Sequence, residues 1–144
     1  MSTEAGISLQ LTRVIKASPE AVFRAWTDAK EMKQWAAPEG MTVEKVESDP
    51  KVGGRYLISM KSPDGQIHTA VGVYTAVDRP KRVAYTWKWQ GTEGDDTLVT
   101  VEFNDLEGST EVVLTHERFP DQAQKADHEQ GWVSCLNRLE ALFA

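Results

Sequence analysis

Two of the three histidines in this chain stand directly before a glutamate, at His116-Glu117 and His128-Glu129. An imidazole beside a carboxylate is raw material for an acid–base pair or a metal site. The periodicity argues that neither pair stays together in space. His116 falls on the apolar parity of a strand with Val112 and Leu114, which puts Glu117 on the opposite face. On a helix, Glu129 is turned about 100° from His128. No HExxH or comparable ligand spacing occurs, so His68, His116 and His128 are expected to hold no metal, and no cofactor is implied.

His116 has two readings that stay open at this level. It is either a core histidine hydrogen-bonded to Tyr85, Tyr74 or another inward polar group, or a ligand contact or general acid/base near the end of its strand. His128, four residues before Trp132, either packs or caps the helix, or lines the mouth of a pocket. Gly131 between them costs a helix about 0.5–1 kcal/mol relative to alanine, which close approach to a sheet or ligand would explain. Cys135 points inward on the same helix with no basic partner, and reads as a small core residue rather than a nucleophile. Gly53-Gly54 lacks the G-x-G-x-x-G context of a phosphate loop, and "GTEGDD" (91–96) lacks the twelve-residue calcium-loop pattern.

The elements that must carry these residues follow from their periods. "ISLQLTRVI" (7–15) alternates as a half-buried strand. Ser18-Pro19-Glu20 supplies an N-cap, a proline at the first helical position and an acid in the first turn, with Val22, Phe23 and Trp26 as the buried stripe. Asp28 with Glu31 has the pattern of a capping box and opens a second short helix with Met32 and Trp35 inward. From 41 to 117 the period is two. Tyr56, Ile58 and Met60 share one face, and Ser62-Pro63-Asp64-Gly65 turns the chain. A strand from about 66 to 77 follows. Val83, Tyr85, Trp87 and Trp89 alternate in the next; Val99, Val101 and Phe103 in another; Val112, Leu114 and His116 in the last. Short turns, including 91–96, make neighbours antiparallel.

A helix from about 121 to 143 closes the chain, with Trp132, Cys135, Leu136, Leu139, Leu142 and Phe143 at 3.6-residue spacing. At ~1.5 Å per residue it spans roughly 35 Å, enough to cross a whole sheet. The fold class expected is therefore α+β: a curved antiparallel sheet of six or seven strands wrapped around one long C-terminal helix. Residues 7–144 form one domain behind a flexible tail, 1–6. Such a curl encloses space near the helix's polar N-terminal half. The expected cavity residues are Trp35, Tyr56, Ile58, Met60, His68, Tyr74, Tyr85, Trp87, Val101, His116, His128, Trp132 and Cys135. Trp26 is expected in the core.

The bulk numbers fit this. A chain of 144 residues with 40% hydrophobic and 26% charged content is an ordinary globular domain. Its net charge of −6 and scattered basic residues argue against nucleic acid as a partner. No apolar run approaches the ~20 residues of a membrane span, and the N-terminus lacks signal-peptide features. A single cysteine excludes an intramolecular disulfide and suits a reducing cytoplasm.

Nine pieces then stand in a familiar order: "ASPEAVFRAWTDAKEMKQW", "PEG" (38–40), "GGRY" (53–56), "PDG" (63–65), "GVY" (72–74), "YTW" (85–87), "VTVEF" (99–103), "LTHERFP" (114–120) and "HEQGWVSCLNRL" (128–139). Each is weak alone; as an ordered set they are specific. The sequence resembles the START-like (SRPBCC) superfamily and, within it, the domain family named for the activator of the ninety-kilodalton heat-shock-protein ATPase. The resemblance implies a helix-grip fold with a cavity between sheet and final helix. It departs at Trp35-Ala36-Ala37, where the family commonly has two consecutive tryptophans before Pro-Glu-Gly. Loss of the second indole should enlarge or reshape the pocket.

Three functions are compatible with these residues. The leading one is a carrier, sensor or sequestering protein for a small, largely apolar or aromatic molecule. The second is a cyclase- or hydrolase-type enzyme, as seen elsewhere in the superfamily (polyketide-cyclase-like), using His116 and a tyrosine. The third is a co-chaperone-like regulator of a protein partner. The eukaryotic activator has an additional N-terminal domain for much of its chaperone contact, and these 144 residues leave no room for one. Self-association into a homodimer stays open.

Overall fold

The structure, a computed structural model, describes residues 7–91 and 96–144. The expected 1–6 tail and most of the 91–96 turn lie outside the described residues. The elements run β1 (Ile7–Ile15), α1 (Pro19–Thr27), α2 (Ala29–Met32), β2 (Thr42–Ser48), β3 (Arg55–Lys61), β4 (Ile67–Asp78), β5 (Arg82–Trp89), β6 (Thr97–Asp105), β7 (Thr110–Phe119) and α3 (Gln122–Leu142).

Local chemistry sets the helix boundaries. Ser18 Oγ accepts the Ala21 amide at 3.2 Å, with Pro19 in the first turn where a missing N–H costs nothing. Asp28 ends α1 and starts α2, its carboxylate accepting from the Lys30 and Glu31 amides. Only half of the expected capping box forms. Glu31 pairs with Arg24 at 2.7 Å, while the Asp28 amide donates to the Arg24 carbonyl. α2 is also shorter than expected, though turns beyond it still bury Trp35. Asp121 caps α3 by accepting from the Gln124 amide at 2.8 Å.

The seven strands form one antiparallel sheet in the order β1-β7-β6-β5-β4-β3-β2. β1 and β2 therefore occupy opposite edges, and α1 and α2 carry the chain from one to the other. Period-two alternation sends Leu114, Val112, Val99, Val101 and Val83 to one face, all buried. That face receives α1 over β6, where Phe23 meets Phe103 edge-on at 5.4 Å. It also receives α3, which packs on β1 and β7 through Leu136 and Leu139. The apolar stripe of α3 ends there, since Leu142 is 39% exposed. This is a helix-grip α+β fold.

Candidate functional site

A cavity of about 510 Å³ lies between the N-terminal half of α3, the α1–α2 and 36–41 segment, and the inward faces of β3, β4 and β5. Its size is that of a small-molecule site. All five tryptophans of the chain line it: Trp26, Trp35, Trp87, Trp89 and Trp132. Trp26 and Trp132 stack at 6.2 Å and 20°, Trp26 leans on Trp35 at 4.6 Å, and Trp87 meets Trp132 at 5.6 Å. Met32, Met41, Ile58 and Met60 complete the apolar wall. The mouth lies where the wall residues become exposed, at Ile67, His68, Gln90 and Asp127.

Nine of the thirteen expected residues come together on this wall: Trp35, Ile58, Met60, His68, Tyr85, Trp87, His128, Trp132 and Cys135. Four do not. Tyr56 and Tyr74 collapse into the floor with Tyr85, at 5.1 and 5.9 Å, and leave a void of only about 10 Å³ among them, too small for a ligand. Gly72 makes that collapse possible. An added Cβ would meet the Tyr56 ring at 2.6 Å and the Thr86 carbonyl oxygen at 1.9 Å, so the Tyr56 ring already fills the space beside this glycine. Val101 is fully buried because α1 packs over its strand.

His116 is the most instructive correction. It has the expected inward parity, but Trp132 of α3 binds it and keeps it off the cavity wall. Trp132 Nε1–H donates to His116 Nδ1 at 3.0 Å, so the ring proton sits on Nε2 and is given to Thr97 Oγ1 at 2.7 Å. Thr97 in turn donates to the Trp87 carbonyl at 2.9 Å. Every polar atom of the imidazole is used. Burial, aided by the neighbouring His128, lowers its pKa from 6.5 to about 3, so it is neutral across the physiological range. An acid–base role for His116 with a tyrosine loses its geometry on both counts.

His128 both lines the mouth and holds it. Its Nδ1–H donates to the Gln124 carbonyl at 2.7 Å, leaving Nε2 to accept Trp89 Nε1–H at 3.1 Å. This ties the start of α3 to the end of β5. Burial pushes the Cys135 thiol up to about 12 and raises the Tyr85 phenol as well, so neither is a nucleophile or base at neutral pH. Glu117 and Glu129 stay off the cavity wall, as the periodicity predicts. Among the described residues no group of histidine, cysteine and acidic side chains is arranged to hold a metal ion.

Eleven wall residues were not expected there. Trp26 belongs to core and wall at once, because its indole spans the gap between α1 and Trp132. Trp89 continues the parity of Tyr85 and Trp87 and was legible on that ground. Asp127 and Gly131 extend the helical stripe one turn upstream of Trp132. Met32, though expected inward, had no sign of facing a cavity. Ala36, Pro38, Met41, Ile67, Thr69 and Gln90 come from turns and strand ends, where no periodicity speaks.

No curated protein matches the chain significantly. Solved structures do. A protein from Chromobacterium violaceum is 30% identical, with a TM-score of 0.85 over 95% of this chain and 97% of the other. The AHSA1 protein from Silicibacter pomeroyi is 29% identical, also at 0.85, over 94% and 96%. A protein from Staphylococcus epidermidis, at 25% identity and a TM-score of 0.78, covers 94% and 88%. No helix among the described residues is long and apolar enough to cross a membrane. The family model described as "Activator of Hsp90 ATPase homolog 1-like protein" matches residues 16–144, and the chain belongs to that START-like family.

Proposed function

We propose that this protein binds a small, largely apolar or aromatic molecule in the cavity between α3 and the sheet, acting as a carrier, sensor or sequestering protein in the cytoplasm. One observation carries the reading: a space of about 510 Å³ is walled by five indoles and four thioether or aliphatic side chains, with His128 already hydrogen-bonded on both ring nitrogens and the Tyr85 phenol and Cys135 thiol kept protonated by burial. A binding site needs such walls; a hydrolytic or cyclising site needs a free acid or base beside the substrate. A lone buried cysteine, with no disulfide to maintain, supports that compartment.

The test pairs the native chain with Ala36→Trp. Ala36 is buried on the wall, and an indole there would fill much of the space. Native mass spectrometry of fresh protein comes first, to detect a co-purifying mass. A thermal-shift panel of neutral one- to three-ring aromatics follows. A compound at a hundred times its Kd should stabilise the native chain by about 2.7 kcal/mol, or about 5–10 °C in Tm, and should leave Ala36→Trp unmoved. Equal shifts in both proteins, or no shift and no bound mass, would remove the proposal.

A further inference from the structure

Three of the pieces that enclose the cavity are fixed by buried contacts, and a fourth is not. β3, β4 and β5 are paired into the sheet. α3 is pinned by Leu136 and Leu139 and by the buried Trp132–His116 hydrogen bond. The α1–α2 side is held by Trp35, which donates to the Ala25 carbonyl at 2.9 Å, and by fully buried Ala37, whose carbonyl accepts from Arg138 of α3 at 2.5 Å. The chain then leaves the interior at Pro38 and joins the sheet at Thr42.

Residues 38–41, between these points, form a closed unit. Met41 N–H donates to the Pro38 carbonyl at 3.0 Å, and Gly40 has a φ of 90°, which glycine adopts freely. Pro38 and Met41, the two ends of the turn, line the cavity. The turn stands beside the mouth, since Thr42 pairs with Lys61 and Lys61 with Ile67, while Pro38 faces Gly131, one helical turn from Asp127. Among the described residues one hydrogen bond ties it to the rest of the molecule, from Glu39 N–H to Ser134 Oγ of α3 at 2.5 Å, and that bond is exposed. None of the four residues is fully buried. Local opening costs least in such a segment.

We infer that the 38–41 turn is the moving edge of the cavity mouth, a shutter that swings as a unit between Ala37 and Thr42 and is latched by Ser134. The inference rests on the cavity being a binding site and adds how its occupant passes in and out. Ser134, Glu39 and Gly40 lie off the wall, so the latch governs passage without touching the occupant.

Two substitutions loosen the shutter from opposite sides. Ser134→Ala removes the latch. Gly40→Ala puts a Cβ into open space, at a φ that L side chains resist. N-Phenyl-1-naphthylamine, a neutral probe that brightens in apolar surroundings, is mixed with each protein by stopped flow. Its association and dissociation rate constants should rise together, by about 2- to 10-fold in Ser134→Ala and about 5-fold or more in Gly40→Ala. Kd should stay nearly unchanged, because a looser shutter favours neither the empty nor the filled cavity. Native-like rates in both variants overturn the inference and leave the cavity reading standing. So does faster dissociation alone with a matching loss of affinity, which would make the turn a ligand contact. Deuterium exchange at the Glu39 amide needs no probe. In Gly40→Ala, where Ser134 is still present, it should quicken about 5-fold or more while the Leu136 amide is unmoved; an unaltered Glu39 amide overturns the shutter. If the probe fails to bind and the Glu39 amide quickens, the cavity reading falls and the moving turn stands.

Discussion

Acidification from pH 7 to pH 5 should destabilise this protein through His116 in particular. In the folded chain burial and the nearby His128 ring, at 5.2 Å, lower its pKa from 6.5 to about 3. In the unfolded chain the imidazole is expected near its ordinary value of about 6.5. Between those values the unfolded state binds a proton that the folded state refuses, so stability rises with pH across the window. The contribution is complete above about pH 6.5 and is lost progressively as pH falls towards 3. At pH 5 the loss is about 2 kcal/mol, and at pH 4 about 3 kcal/mol. Other groups titrate in the same range, so the measurement is a difference between the native chain and His116→Gln. Glutamine can accept from Trp132 and donate to Thr97 but carries no titratable proton. Urea unfolding followed by circular dichroism at pH 7 and pH 5 should show the native chain's advantage over the variant shrinking by about 2 kcal/mol, or about 1 M in midpoint. A gap that is the same at both pH values would mean His116 is not held neutral, and the hydrogen-bond assignment between Trp132 and Thr97 would be wrong.

Three further substitutions bear on the same framework. Gly131→Ala should raise stability by about 0.5–1 kcal/mol, because the added Cβ meets only Pro38 Cγ at an ordinary 3.8 Å; a lower urea midpoint would show that the helix needs its glycine for another reason. Gly72→Ala places a Cβ 1.9 Å from the Thr86 carbonyl oxygen and should cost about 3 kcal/mol or more, read as lost Tm; an unchanged Tm would refute the close approach. Thr97→Val, of nearly the same shape, leaves the His116 Nε2–H and the Trp87 carbonyl without their partner and should cost about 1–3 kcal/mol, where a neutral result would dissolve the relay.

Strand parity located the faces of this molecule but not what covers them, and the candidate site shows the difference. Tyr85 and Trp87 have the same inward parity as His116, yet the first two meet open space and the third meets Trp132. That outcome depends on where α3 crosses the sheet, a tertiary fact that no local period contains. Tyr56 illustrates the same limit, since its ring drops into room left by Gly72 on the neighbouring strand. The caps at Ser18 and Asp28 were readable because short-range chemistry decides them. Much of the rest of the wall was not, because Pro38, Met41, Ile67 and Gln90 reach it from turns and strand ends. His128 was half legible: its helical phase pointed to the opening, but its partnership with Trp89 joins residues 39 positions apart.

The gathering of every tryptophan around one cavity has an optical consequence. The whole indole emission of the protein originates at this wall, in rings within 4.6–6.2 Å of a neighbouring indole. Excitation can pass among them, so an aromatic quencher seated in the cavity should dim the signal as a unit rather than one fifth of it. The protein is in effect its own label-free indicator of occupancy. The same placement makes fluorescence a biased witness of unfolding, since it follows the cavity wall and reports nothing directly from the β1–β7 edge of the sheet.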